Sequence, residues 1–344
     1  MKYKIKKIIV ILVTISIIIF LFRPTFTQSI NGNKSISQLK NVNIGGQNQA
    51  LLIRGHNKDN PLVLFLHGGP GLAQICYGGK YQSKLEEDFI VVNWDQRGSG
   101  KSYSLFMDKE TLTKEQLVKD GIEVIEYLCK TYKKEKIIVV GHSWGSELAM
   151  KILKEDSSKI LAYVGVGQVI SQREGELISY NYAKELAKEN KDDKALKILE
   201  KIGIPPYNEV VDGTLQKEKI ISKYSPIKEG LNIKKDIVLG NLFSYECNGW
   251  DGIKYALGNK LSADKLWGQN PDYDLFSEMK SVAVPVYFCL GRYDYTTPSS
   301  LVEKYYKFLE APSKKIIWFE KSSHYPQYTE SDKFNKVLKD IVRY

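Results

Sequence analysis

Apolar and polar residues follow three different rhythms along the chain. The first is an apolar run over residues 8–22, broken only by Thr14 and Ser16 and preceded by Lys2, Lys4, Lys6 and Lys7. As helix, that run covers about 22 Å, short of a hydrocarbon core of roughly 30 Å. The lysines predict a cytoplasmic N-terminus and place everything after residue 30 outside. The following Arg23-Pro24-Thr25-Phe26-Thr27-Gln28 offers no small-x-small cleavage site. Residues 1–30 are therefore expected to form an uncleaved membrane anchor, with a cleaved signal and secretion as the alternative.

The second rhythm is the short continuous apolar run. Residues 62–66, 89–92 and 137–140 have no polar alternation, as strands buried on both faces do. Residues 160–166, 284–290 and 315–319 are further strand candidates, and residues 37–44 and 49–54, joined at Gly45-Gly46, predict an antiparallel hairpin. The third rhythm is helical. Leu117, Ile122, Ile125 and Leu128 recur on one face of residues 113–132, between two strands. Alternating strands and helices predict an α/β fold built on a mostly parallel sheet with helices on both faces. Residues 168–280 break the alternation. Residues 179–202 read as one helix, stopped at Gly203-Ile204-Pro205-Pro206, and no parallel-strand signal returns before Val284. The expected organisation is an α/β core over 31–167 and 281–344, with a helical insertion over 168–280.

Composition changes this picture little. The formal charge is +10, but the four lysines and Arg23 supply five of those charges, and no acid occurs in the first 30 residues. Elsewhere lysines are interspersed with acids, which reads as solvation and excludes a nucleic-acid-binding stripe. Cys76, Cys129, Cys247 and Cys289 are too widely spaced for a metal site, so no metal or cofactor is expected. Buried thiols are the expected state, with one extracytoplasmic disulfide as the alternative.

The chemistry is concentrated at Gly141-His142-Ser143-Trp144-Gly145, a G-x-S-x-G sequence directly between a predicted strand and a predicted helix. Such a strand-to-helix elbow presents a nucleophilic serine at the carboxyl end of the sheet. A base must follow late in the chain, and of the four histidines only His324 does. The acid should lie between them. Asp294, just after the strand ending at Leu290, fits better than Asp272 or Asp274. An acyl-transfer oxyanion also needs backbone donors. Trp144 N–H is one candidate, and the glycine loop His67-Gly68-Gly69-Pro70-Gly71 is expected to supply the other.

Together with Asp95-Gln96-Arg97-Gly98-Ser99-Gly100-Lys101-Ser102, these motifs resemble the proline iminopeptidase branch of the α/β-hydrolases over about residues 45–340. The resemblance implies an eight-stranded α/β-hydrolase sheet and a helical cap at 168–280 covering the active site. It also implies Gly69 as the second oxyanion donor, and an arginine-glycine loop at 95–102 that shapes the site floor. Family members hold the substrate's free α-amine with acidic cap groups, for which Glu174, Glu176 and Glu246 are the candidates here. Aromatic residues between Phe243 and Phe276 would serve either a prolyl pocket or cap packing. The implied activity is that of a serine hydrolase acting on short peptides. A carboxylesterase or lipase-like enzyme, and a non-catalytic binding protein, are the alternatives.

Overall fold

The computed structural model describes residues 2–227, 233–267 and 272–343. Helix α1 (Lys2–Phe22) stands first, followed by β1 (Ile36–Ile44), β2 (Gln47–Gly55), β3 (Leu62–Leu66), α2 (Ile75–Gln82), β4 (Ile90–Asp95), α3 (Lys114–Tyr132), β5 (Ile137–His142), α4 (Trp144–Glu155) and β6 (Ile160–Val166). Helices α5 (Gln172–Glu189), α6 (Asp193–Ile202), α7 (Val210–Tyr224), α8 (Ile233–Phe243), α9 (Gly249–Leu266) and α10 (Leu275–Glu278) intervene before β7 (Val286–Gly291). The chain then forms α11 (Ser299–Phe308), β8 (Lys314–Phe319), α12 (Pro326–Thr329) and α13 (Ser331–Ile341).

The strands form one sheet in the order β1-β2-β4-β3-β5-β6-β7-β8. β1 and β2 pair antiparallel across Gly45-Gly46, β2 joins β4 antiparallel, and the remaining neighbours are parallel. The period-two geometry of a strand explains the two layers of core. Leu62, Leu64 and Leu66 point to a layer shared with Leu117, Ile125, Leu148 and Val302 from α3, α4 and α11. Val63 and Phe65 point to the opposite layer, against Leu85 and, from α13, Phe334 and Leu338. Each such side chain, fully withdrawn from water, contributes about 1.5–3 kcal/mol. The Thr113 hydroxyl caps α3 by accepting from Gln116 N–H at 3.1 Å, which fixes where that helix starts.

Residues 179–202, expected as one helix, belong to two. Asn190 closes α5, Lys191 takes a left-handed conformation (φ 50°), and the Asp192 carboxylate opens α6 by accepting from Ala195 N–H. Apolar spacing is blind to this break, because Ala183, Ala187, Ala195 and Leu199 still meet in one cluster after the turn. The cysteine expectation also needs correction. Cys76 and Cys247 form a disulfide joining α2 to the α8–α9 turn, while Cys129 and Cys289 are buried free thiols. The two partners are 171 residues apart, so only the fold brings them together. Finally, α1 begins six residues before the apolar run, at Lys2. Its 21 residues cover about 31 Å, the thickness of a bilayer core.

Candidate active site

Ser143 occupies the bend between β5 and α4 with φ 53° and ψ −126°, a backbone state that L-residues avoid unless the surroundings enforce it. The surroundings here are explicit. Ser143 N–H donates to Val166 O (2.9 Å), and Ser143 O accepts from both the N–H (2.8 Å) and the hydroxyl (2.6 Å) of Ser146. At Gly145 any Cβ would overlap the carbonyls of Leu66 and His67, so the elbow can press directly against the end of β3.

His324 lies in the turn after β8, and its Nδ1 is 3.0 Å from Asp294 Oδ2. Both side chains are buried. Asp294 is held in turn by the N–H groups of Thr296 and Thr297, each 3.0 Å from Oδ1, and by the Thr297 hydroxyl, 3.0 Å from Oδ2. Gly167, at φ 53°, backs onto the His324 ring; a Cβ there would be 2.8 Å from Cε1. Ser143 and His324 open into the same cavity, whose volume is about 650 Å³. Gly69 and Trp144 line it as well.

Two histidines with no assigned role in the sequence prove to be structural parts of this site. His67 Nε2 accepts from Gln96 N–H (3.2 Å), which leaves Nδ1–H to donate to Gly68 O (3.0 Å). Burial lowers its pKa to about 4, so it stays neutral and fixes the glycine loop. That loop passes so close to the elbow that a Cβ on Gly68 would be 2.9 Å from the Ser143 Cβ. His142 packs its ring 4.9 Å from that of His324, and its Nε2–H donates to His324 O (2.9 Å). Burial, reinforced by the neighbouring His324, lowers its pKa to about 3. No periodicity or spacing signals either role, since each depends on a contact between distant segments.

The family of the chain follows from comparison with known proteins. A family model described as the alpha/beta hydrolase fold matches residues 61–195. The probable aminopeptidase YbaC of Bacillus subtilis is 33% identical over 316 residues, spanning 90% of this chain and 98% of the relative. The chain belongs to the α/β-hydrolase family, in its proline iminopeptidase-like branch. A proline iminopeptidase of Heyndrickxia coagulans is 25% identical to this α/β-hydrolase over 283 residues, 81% of this chain and 90% of the relative. The solved structure of a proline iminopeptidase from Mycobacterium smegmatis shares its fold with a TM-score of 0.64 at 16% identity, covering 89% of this chain and 98% of that one.

The other residues singled out in the sequence are placed as follows. Glu174 is at the outer start of α5, paired with Lys304 (3.0 Å), and does not line the cavity. Glu246 accepts from the Thr27 hydroxyl (2.9 Å), beside the end of α1, and is also outside the cavity. The carboxylates that do line it are Glu147, Glu176 and Glu218. Glu147 is paired with Lys114 (2.7 Å), whereas Glu176 and Glu218 share a single buried partner, Lys217, at 2.5 and 3.5 Å. Among the clustered aromatics, Trp267 lines the cavity. Tyr273 is buried in the core and Tyr245 packs on Phe26.

The loop at 95–102 does not shape the cavity floor. Arg97 instead makes a buried two-pronged ion pair with Asp120 (2.7 and 3.0 Å) and donates to Gly45 O (2.8 Å), tying the β1–β2 turn to α3. Lys101 pairs with Asp251 of α9 (2.6 Å). Among the described residues no group of three or more His, Cys, Asp or Glu side chains is arranged to hold a metal ion.

Proposed function

We propose that this chain is a serine hydrolase that works through an acyl-enzyme, releasing N-terminal residues, proline foremost, from short peptides. The observation that carries the reading is the strained Ser143 elbow opening onto the same cavity as the Asp294–His324 pair. In this mechanism Ser143 Oγ attacks the scissile carbonyl while His324 takes its proton, then donates it to the leaving amine. Asp294 orients the imidazole and stabilises its charged form. The N–H groups of Gly69 and Trp144 hold the oxyanion, and water releases the acyl group.

Preference for a peptide with a free amine rests on charge. Glu176 and Glu218 set two carboxylates against one ammonium, Lys217, leaving that wall of the cavity net negative. Glu218 Oε2 accepts from the Thr296 hydroxyl (2.6 Å), and Oε1 faces Lys217 Nζ at 3.5 Å. A protonated α-amine in the cavity would balance the surplus carboxylate charge; a neutral ester would not. In this reading α1 is a retained membrane span, and the hydrolase faces the extracytoplasmic side. The residues that signal cleavage would have to cut are built into the body: Arg23 donates to Ser244 O (2.6 Å) and Cys247 O (2.5 Å), and Phe26 N–H donates to Tyr245 O (3.0 Å).

The test is a panel of proline and alanine arylamides beside p-nitrophenyl esters, assayed on the full chain in detergent, with a fluorophosphonate probe for the serine. Turnover led by the proline arylamide, with labelling abolished by Ser143→Ala, is expected. Ester turnover alone would replace the peptidase by a carboxylesterase, and absence of labelling would leave a binding protein.

A further inference from the structure

Helix α1 meets the body of the protein at the turn between α8 and α9. Its last residues, Phe20 and Phe22, lie against Phe243 (ring centroids 6.4 Å) and Trp250 (6.2 Å). Contact at this turn is close: a Cβ on Gly249 would be 2.7 Å from the Phe20 ring and 3.0 Å from Leu21. The Arg23 guanidinium then fastens to the carbonyls of Ser244 and Cys247, and Asn248 Nδ2 donates back to Arg23 O (2.9 Å). Phe20 is two residues, about 3 Å of rise, inside the end of the helix. A turn packed against Phe20 therefore sits at the depth where hydrocarbon meets headgroups, provided α1 crosses the bilayer.

The outward side of this helical hairpin has the composition that such a depth requires. On α9, Trp250, Ile253 and Leu257 fall on one face at helical spacing, and Leu239 and Phe243 do the same on α8. Phe243 is 65% exposed, and Ile253, Leu257 and Leu239 are each exposed by at least 40%. The loop after β4 adds Phe106, 96% exposed, which shares a shallow groove with Trp250. Further from α1 the same helices turn polar: Lys235 on α8 and Lys260 and Asp264 on α9 are exposed. The apolar surface is thus graded, richest beside the anchor and lost away from it. Contiguous apolar surface of this kind marks an interaction site. Its continuity with the end of α1 identifies the partner as lipid.

We propose that the outward face of the α8–α9 hairpin, with Phe106, is a second membrane contact, seated in the outer interface of the phospholipid bilayer that α1 crosses. The inference rests on the reading of α1 as a retained span. Trp250 and Tyr245 occupy the interfacial level at which aromatic side chains concentrate. The hydrolase is then held to the bilayer at two points, so its insertion has a fixed attitude to the surface.

The full chain, reconstituted in phosphatidylcholine vesicles, tests this with lipids brominated near the headgroup end of the acyl chains. None of the five tryptophans lies in α1. Quenching of about one tryptophan's share in five is expected. Trp250→Phe should abolish it, and Phe243→Trp added to that variant should restore it. Full emission in a chain that resists carbonate extraction would overturn the second contact while leaving the span intact. Extraction by carbonate would remove the span, and the contact with it. Quenching that persists in Trp250→Phe would place another surface against lipid and also refute the proposal.

Discussion

The helices inserted between β6 and β7 divide into two halves of opposite character. The first, α5–α7, closes around Tyr180, Ala183, Leu199 and Ile220 and turns carboxylates towards the cavity. The second, α8–α9, contributes among the described residues its far end, Leu266 and Trp267, to the cavity, and faces α1 with Phe243 and Trp250. One half is charged where it meets the cavity; the other is aromatic and aliphatic where it meets α1. In the proposed reading a single insertion thus meets two solvents, and the side chains that would tune each are separable by mutation.

The largest effect should come from the residue both halves surround. Ser143→Ala is expected to lower kcat on the order of 10^5-fold with an unchanged melting curve, measured by arylamide turnover and calorimetry. Unequal loss on esters and amides would mean that two chemistries share the cavity. Removing the disulfide loosens the tie between α2 and the second half. Cys76→Ser with Cys247→Ser opens a constraint spanning 171 residues and should cost about 2–5 kcal/mol, seen as a lower melting temperature, while the rate of Ser143 labelling stays within about two-fold.

Acid reaches neither half but the loops beneath them. The folded pKa values of His67 and His142, about 4 and about 3, lie below the ordinary 6.5, so the unfolded chain binds their protons first. Stability is fully present above about pH 6.5 and falls as pH drops towards 4, by about 1.4 kcal/mol per unit for each group. Asp95, raised by burial to about 6, opposes this in the same window because its folded carboxyl gains a proton more readily. Glu86, also raised by burial, acts in the same sense as Asp95, and His67→Gln should remove one of the two histidine contributions and flatten the acid-side loss in denaturant melts from pH 7 to 4.5. The smallest effect belongs to the cavity-side half. Glu218→Gln should reduce kcat/KM on proline arylamides roughly 10- to 100-fold through KM and leave p-nitrophenyl esters unchanged.

Much of the core was legible because one-dimensional patterns suffice for it. A strand covered on both faces must be continuously apolar, so residues 62–66 and 137–140 declared themselves. Chain order singled out Asp294 and His324 as the expected acid and base, and the fold brings these two side chains to 3.0 Å. The insertion was less legible, since its helices obey two neighbours at once. Glu174 and Glu218 look alike as exposed-helix glutamates; only the turn after α6, which brings α7 against α5, aims one at Lys304 and the other at the cavity. The Cys76–Cys247 pair and the role of Arg97 were hidden for the same reason, because each joins segments that no local spacing relates.

The bond from His142 to the carbonyl of His324 has a mechanical consequence. Residue 142 grips the main chain of the residue whose ring opens with Ser143 onto one cavity. Any drift of the elbow therefore drags the imidazole's own backbone with it, so in the proposed mechanism the gap between Ser143 and His324 is buffered against motion of the strands that carry them. Alignment is then a property of two adjacent positions in the chain, and survives distortions that would misalign partners mounted independently.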